Sequence, residues 1–258
     1  MHPHRVSVVI PTYNRAHLIE RAVRSVLDQT FAVHEVIVID DGSTDNTSEV
    51  VARLSSGEPR LTYISQNREG APAARNLGIS ATTGSLIAFQ DSDDEWRPTF
   101  IEELLDFHDR PMVLAFSSML TVDSVGNQAV AFPNKIYDVV SELALHNCIS
   151  TQTALLDASL LRLHQFDETL PRLQDWDLWL GLIERAHFVH HPRVLVIQHL
   201  QGDSITAGRS NLYVALRTIT RRHWRVLIRH PKSFVRLWIA ARLKTWRSPR
   251  WVRSPRRR

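Results

Sequence analysis

Three carboxylates fall within four positions at Asp91-Ser92-Asp93-Asp94, directly after the apolar run Leu86-Ile87-Ala88-Phe89-Gln90. Carboxylates packed this closely repel one another and raise each other's pKa. A cation relieves that repulsion. Hard cations such as magnesium and manganese take oxygen ligands, commonly one or two carboxylates together with substrate phosphates. The run reads either as a metal–phosphate site at the end of a buried strand or as a solvated acidic turn that caps the next helix. Three more polar clusters share its placement. Pro11-Thr12-Tyr13-Asn14-Arg15, Asp40-Asp41-Gly42-Ser43 and Asn67-Arg68-Glu69-Gly70 each close or follow an apolar run. Ligands of open α/β sheets bind beyond the carboxyl ends of the strands, so four such clusters in series predict a binding cleft.

The elements that must position these clusters can be read from periodicity. Val6–Ile10, Val36–Asp40, Leu61–Ser65 and Leu86–Gln90 are mostly apolar on both faces, as strands covered by helices on both sides are. Between them, Leu18, Ile19, Ala22, Val23, Val26 and Leu27 form an apolar stripe at helical spacing. Ser43-Thr44-Asp45 offers an N-cap for a helix through about Leu54, and a third helix covers Ala71–Ser80. The alternation predicts an α/β fold with parallel strands. Farther on, Val113–Ser117, Gln128–Phe132 and Ser150–Leu156 read as strands, with a turn at Asp123–Asn127. Gln174–Arg185 reads as a helix with Trp176, Trp179, Leu180 and Ile183 on one side, and Phe188–Gln198 as one or two strands. Helices are expected through about Arg229 and again over Lys232–Arg247, on either side of Pro231.

Composition narrows the class. A chain of 258 residues with 43% hydrophobic content can bury a real core. One cysteine, Cys148, excludes an intramolecular disulfide framework and fits a reducing compartment as inert packing. The start, Met1-His2-Pro3-His4-Arg5, carries no signal-peptide h-region, and no apolar run is long enough to span a bilayer, so a cytoplasmic location is expected. No Gly-x-Gly-x-x-Gly follows the first strand and no Walker-type loop occurs, which disfavours a dinucleotide-binding dehydrogenase. The histidines lack two-ligand helical spacing, which disfavours zinc.

Four motifs together resemble family 2 glycosyltransferases of the GT-A fold: Val6–Arg15, Val36–Ser43, Gly70–Gly78 with its Ala-Ala-Arg-Asn-x-Gly, and the Asp-x-Asp-Asp of 91–94. The resemblance covers roughly residues 5–100 and implies a Rossmann-like mixed sheet flanked by helices, with a nucleoside diphosphate sugar as donor. It places Pro11, Tyr13 and Asp41 at the base, with Asn14 and Ser92 in the same donor site. A carboxylate is a sound acceptor for an imide N–H and an aromatic ring a sound platform. Arg75 would lie near the base or diphosphate, Asp91 at the ribose, and Asp93 on a manganese or magnesium ion, with Asp94 supporting or replacing it. Some GT-A enzymes return a late histidine to the metal, which would be His199. Gln174-Asp175-Trp176-Asp177-Leu178-Trp179 resembles the family's Glu-Asp-Trp-x-Leu-Trp segment and assigns the general base to Asp175. Its first acid is Gln174 here. The other reading of Asp175 is a helix cap.

The implied organisation is a glycosyltransferase domain over 1–210, its nucleotide half about 1–110 and its acceptor half about 111–210. Amphipathic basic helices follow at 211–247 and a disordered basic tail at 248–258. Residues 217–258 hold 15 Lys and Arg and no Asp or Glu, leaving 16 basic against 27 acidic residues before them. Such segregation, with Trp224, Trp238, Trp246 and Trp251 among the arginines, predicts an anionic partner. A helix lying on the inner face of the cell membrane fits this. Nucleic acid is the competing partner, and simple cover for the catalytic domain is the third reading. The expected activity is metal-dependent, inverting transfer to a hydroxyl of a glycan or lipid-linked acceptor. The rival class is a non-catalytic protein that binds sugar nucleotides or nucleic acid.

Overall fold

The computed structural model describes residues 4–131, 135–200 and 209–230. Its first half alternates strands β1 (Val6–Thr12), β2 (Glu35–Asp40), β3 (Leu61–Ser65) and β4 (Leu86–Phe89) with helices α1 (Ile19–Leu27), α2 (Thr47–Ser55) and α3 (Ala71–Ala81). All pairings among the four strands are parallel. The register sets Thr12 beside Asp40 and Asp40 beside Ser65, so their polar ends form one edge.

The strands are apolar on both faces because the sheet has a core on each side. Val6, Val8 and Ile10 pack with Ile19, Val23 and Val26 of α1, while Val9, Ile37 and Phe89 pack with Ala74 and Ile79 of α3. Gly78 brings α3 close to β1, since a Cβ there would lie 2.3 Å from Val9 Cγ1.

The second half adds β5 (Glu95–Trp96), α4 (Phe100–Leu105), β6 (Val113–Val122), β7 (Gln128–Ala131), α5 (Val139–Leu145), β8 (Ala154–Asp157), α6 (Ala158–Leu163), α7 (Gln174–Leu182) and β9 (His187–His199). The sheet runs β3-β2-β1-β4-β8-β6-β9-β5, with β7 on β6. β8 is antiparallel to both neighbours, which makes the sheet mixed. Two expectations are corrected here. The strand expected over Ser150–Leu156 begins as a 3-10 turn at Thr151–Thr153. The Thr153 hydroxyl donates to Ser150 O and the Ser150 hydroxyl to Gln152 Oε1, and such local bonds compete with a ladder. The helix expected through Arg185 closes at Leu182, where the chain turns to enter β9.

Helices α8 (Arg209–Arg222) and α9 (Trp224–Ile228) follow. Ala215, Leu216, Ile219 and Leu227 are buried in the core, so the start of the basic segment does cover the domain. Asp177 of α7 pins it. This wholly buried carboxylate accepts from Arg222 Nη1 at 2.6 Å and pairs with His223 Nε2 at 2.9 Å. Removing one partner of a buried pair strands the others, so Asp177→Ala is expected to cost about 3 kcal/mol in urea unfolding. Wild-type stability in that variant would refute the pin. The helix expected over 232–247 and the tail 248–258 lie outside the described residues. No helix among the described residues is long and apolar enough to cross a membrane.

Candidate active site

The four polar clusters meet at the carboxyl edge of β1–β4, and the loops hold one another. Asn14 adopts a left-handed φ of 51°, which asparagine tolerates. Its amide N–H donates to Ser43 Oγ at 2.9 Å and its Oδ1 accepts from Thr44 N at 2.8 Å. Asp40 accepts from Ser43 N at 2.8 Å and from the Tyr63 hydroxyl at 2.7 Å. Asp41 accepts from Gln66 Nε2, Glu69 N and Gly70 N at 2.7, 2.8 and 2.9 Å. It therefore ties down the loop that enters α3. A carboxylate offers about four lone-pair directions, so one remains for a ligand N–H. Gly42 and Gly70, at φ of 77° and 98°, supply backbone shapes that other residues rarely adopt.

Tyr13 lies beside these loops with the Arg68 guanidinium 4.2 Å from its ring centre. Pro11 is buried one residue before the end of β1, and Ser92 is buried within the acidic cluster. Arg75 Nη2 pairs with Asp91 Oδ1 at 2.9 Å, joining two of the expected donor-site residues.

The acidic cluster divides into different environments. Asp93 keeps about a quarter of its side chain exposed, and Arg15 Nε stands 3.7 Å from its Oδ2. Burial and the neighbouring Asp91 push its pKa up. Arg21 donates to the Asp93 backbone carbonyl. Asp94 is almost wholly buried, with Oδ1 accepting from His199 N and Oδ2 from Gln152 Nε2, both at 2.9 Å. Burial and repulsion from Asp91 and Asp93 push its pKa well up.

His199 Nε2 is buried without a hydrogen-bond partner, and Glu95 Oε1 lies 3.7 Å away. The expected cation ligands Asp93, Asp94 and His199 come together where the Asp94 carboxylate accepts from His199 N. Among the described residues no group of three or more His, Cys, Asp or Glu is gathered to hold a metal. Asp94 is almost wholly buried, and each of its oxygens already accepts one N–H. The remaining donors still suit a divalent cation: an incompletely paired carboxylate at Asp93 and an orphaned imidazole nitrogen at His199.

Asp175 arrives from the second half. Leu173 at φ 61° turns the chain into α7 and sets Asp175 in its first turn. Left-handed leucine is costly, and such strain clusters at functional positions. Asp175 Oδ2 accepts from Asn147 Nδ2 at 2.7 Å, and Oδ1 from Trp176 N at 2.9 Å. It is not the N-cap, a position held by Leu173. Burial pushes its pKa up, opposed by the two hydrogen bonds and by the Arg75 charge, and reinforced by Asp91. Arg75 and Asp91 thus lie within electrostatic range of Asp175. Asp177, two residues on, serves the pin described above.

Arg15, Arg68, Glu95 and Asn147 join the site without having been assigned roles from sequence. Arg15 and Arg68 lay inside the recognised clusters, so position at a strand end was their signal. Asn147 and Glu95 gave none. The cysteine next to Asn147, Cys148, is buried, and burial pushes its thiol pKa up.

A family model described as "Glycosyl transferase family 2" matches residues 7–156. An uncharacterized glycosyltransferase of Rickettsia bellii is 30% identical over 216 residues, covering 81% of this chain and 31% of that protein. The chain thus spans about a third of that relative's length. The GalNAc(5)-diNAcBac-PP-undecaprenol beta-1,3-glucosyltransferase of Campylobacter jejuni is 28% identical over 213 residues, covering 80% of this chain and 68% of that one. Among solved structures, mannosyltransferase PcManGT of Pyrobaculum calidifontis, in complex with GDP-Man and Mn2+, has a TM-score of 0.70 at 21% identity. It covers 95% of this chain and 72% of that one, which establishes a shared fold.

Proposed function

The chain belongs to glycosyl transferase family 2, and on that premise we propose that it moves a sugar from a nucleoside diphosphate sugar to an acceptor hydroxyl. One observation carries this reading. A half-buried carboxylate, Asp175, held by Asn147 Nδ2 at 2.7 Å, stands within electrostatic reach of the Arg75–Asp91 pair at the edge where four strand-end clusters converge.

In this reading the nucleotide occupies the half at about 1–110 and the acceptor the half at about 111–210. Tyr13 and Pro11 support the base, and Asp41 accepts an imide N–H with its remaining lone pair. Asp91 takes the ribose, Arg75 the diphosphate side, and Asn14 and Ser92 shape the loops around them. Asp93 and His199 would hold a divalent cation, manganese or magnesium, with Asp94 fixing the His199 backbone behind them. When bound, that cation would stabilise the charge that grows on the departing diphosphate. Asp175 accepts the acceptor's hydroxyl proton as the new C–O bond forms and the sugar–phosphate bond breaks with its electrons going to the nucleotide. One displacement at the anomeric carbon inverts its configuration. Support for the cation also comes from the Mn2+ in PcManGT. Support for a glycan or lipid-linked acceptor comes from the PP-undecaprenol in the Campylobacter relative's name.

The test is a panel of UDP- and GDP-sugars with and without manganese, read by thermal stabilisation and by release of UDP or GDP. A donor at 100 times its Kd should stabilise the fold by about 2.7 kcal/mol. No stabilisation and no release across the panel would reject the reading. Stabilisation without release, in the presence of candidate acceptors, would favour a binding protein.

The basic segment is read as a membrane contact. Trp224 and Ile228 are half exposed on α9 beside Arg225 and Arg229, and ten further basic residues follow. Each basic residue near an anionic surface contributes about 1 kcal/mol, screened by salt. Deleting 248–258 is expected to weaken sedimentation with anionic liposomes at low salt and to leave nucleotide release intact. Equal binding of both forms to anionic and neutral liposomes would refute this contact.

A further inference from the structure

The segment that faces Asp175 is held with unusual firmness. Trp176 and Trp179, both wholly buried on α7, donate their indole N–H groups to α5 and to the chain between α5 and the 3-10 turn. Trp176 Nε1 bonds Leu143 O at 2.7 Å and Trp179 Nε1 bonds Ile149 O at 2.9 Å. Those two anchors bracket Asn147. Between them the Asn147 Oδ1 accepts from Ile149 N at 3.4 Å, which turns its Nδ2 to Asp175 at 2.7 Å. The amide orientation follows from its two partners, since only Nδ2 can donate to a carboxylate. The helix that carries Asp175 therefore also fixes, through its own tryptophans, the group that Asp175 leans on.

We propose that Asn147 is a positioning residue for the transfer step, its amide holding the Asp175 carboxylate in one orientation against the cleft. This rests on the reading of Asp175 as the base. A carboxylate that accepts one N–H per oxygen keeps a further lone pair on each for an acceptor hydroxyl. Donation also favours the ionised form. That matters because burial and Asp91 both act against ionisation, with Arg75 as the helpful charge. Without Asn147 the base would swing free and hold its proton at higher pH.

The test uses the full chain and two variants. Asn147→Leu keeps the size and removes the donor. Asn147→Asp keeps the shape, protects against a packing failure, and places a second carboxyl against the first. Side-chain carboxyl 13C NMR follows the Asp175 titration, its signal identified by its absence in Asp175→Asn. Release of UDP or GDP from the donor found in the panel follows the rate. The Asp175 midpoint should rise by roughly one pH unit in Asn147→Leu and further in Asn147→Asp. The acid limb of kcat should move with it while donor KM stays put. An unmoved midpoint in folded variants, with Asp175→Asn inactive, would overturn Asn147's role and leave the base reading standing. A wild-type rate in Asp175→Asn would overturn both.

Discussion

Asp175→Asn is expected to lower glycosyl transfer by about 10²–10⁴-fold and to leave nucleotide affinity nearly unchanged. The substitution keeps size and shape. Asn still accepts the Trp176 N–H through its carbonyl, a flip of the Asn147 amide lets its Oδ1 accept from the new NH2, and α7 loses no cap because Leu173 holds that position. What disappears is the proton acceptor. The wild-type rate should climb with pH as Asp175 deprotonates, and the limb should lie above the ordinary value of 3.8, because burial raises the pKa. In the variant that limb should be gone. Steady-state rates against pH, with calorimetric binding of UDP or GDP alongside, check both halves. Transfer near the wild-type rate would remove Asp175 from the chemistry.

Asp93→Ala should abolish the manganese dependence of UDP or GDP binding in calorimetry. Asp93 keeps about a quarter of its side chain exposed where a cation can reach it, whereas Asp94 is almost wholly buried behind His199 N and Gln152. The metal-free protein gives a second signature. The folded pKa values of Asp93 and Asp94 lie above 3.8. Raised carboxyl values mean that stability is fully present below about 3.8 and is lost as pH rises through the folded values. The crowded cluster thus costs stability at neutral pH, and Asp93→Ala relieves part of that repulsion. Its metal-free melting temperature should equal or exceed the wild type's, while the manganese-dependent rise disappears. Retained metal dependence would move the ligand role elsewhere.

The sequence by itself determined the first half of the sheet. Runs apolar on both faces, separated by helical stripes, located β1, β2, β3 and β4 to within a residue or two, because side-chain periodicity is a local consequence of backbone geometry. Their polar ends became a site on a general rule about open sheets. The strand at Ser150–Leu156 was misread at its start, since hydroxyl bonds among Ser150, Gln152 and Thr153 override a β-prone composition there.

Only the tertiary structure decided how neighbouring carboxylates divide their work. Asp93 and Asp94 are adjacent and identical in type. Partners 58 and 105 positions away, Gln152 and His199, bury one and leave the other open. Asp175 and Asp177 are likewise two residues apart on one helix. One meets Asn147, and the other is enclosed by Arg222 and His223. A carboxylate's chemistry depends on which lone pairs remain free and how much water reaches it. Both depend on contacts between distant segments, and local sequence spacing does not encode those contacts.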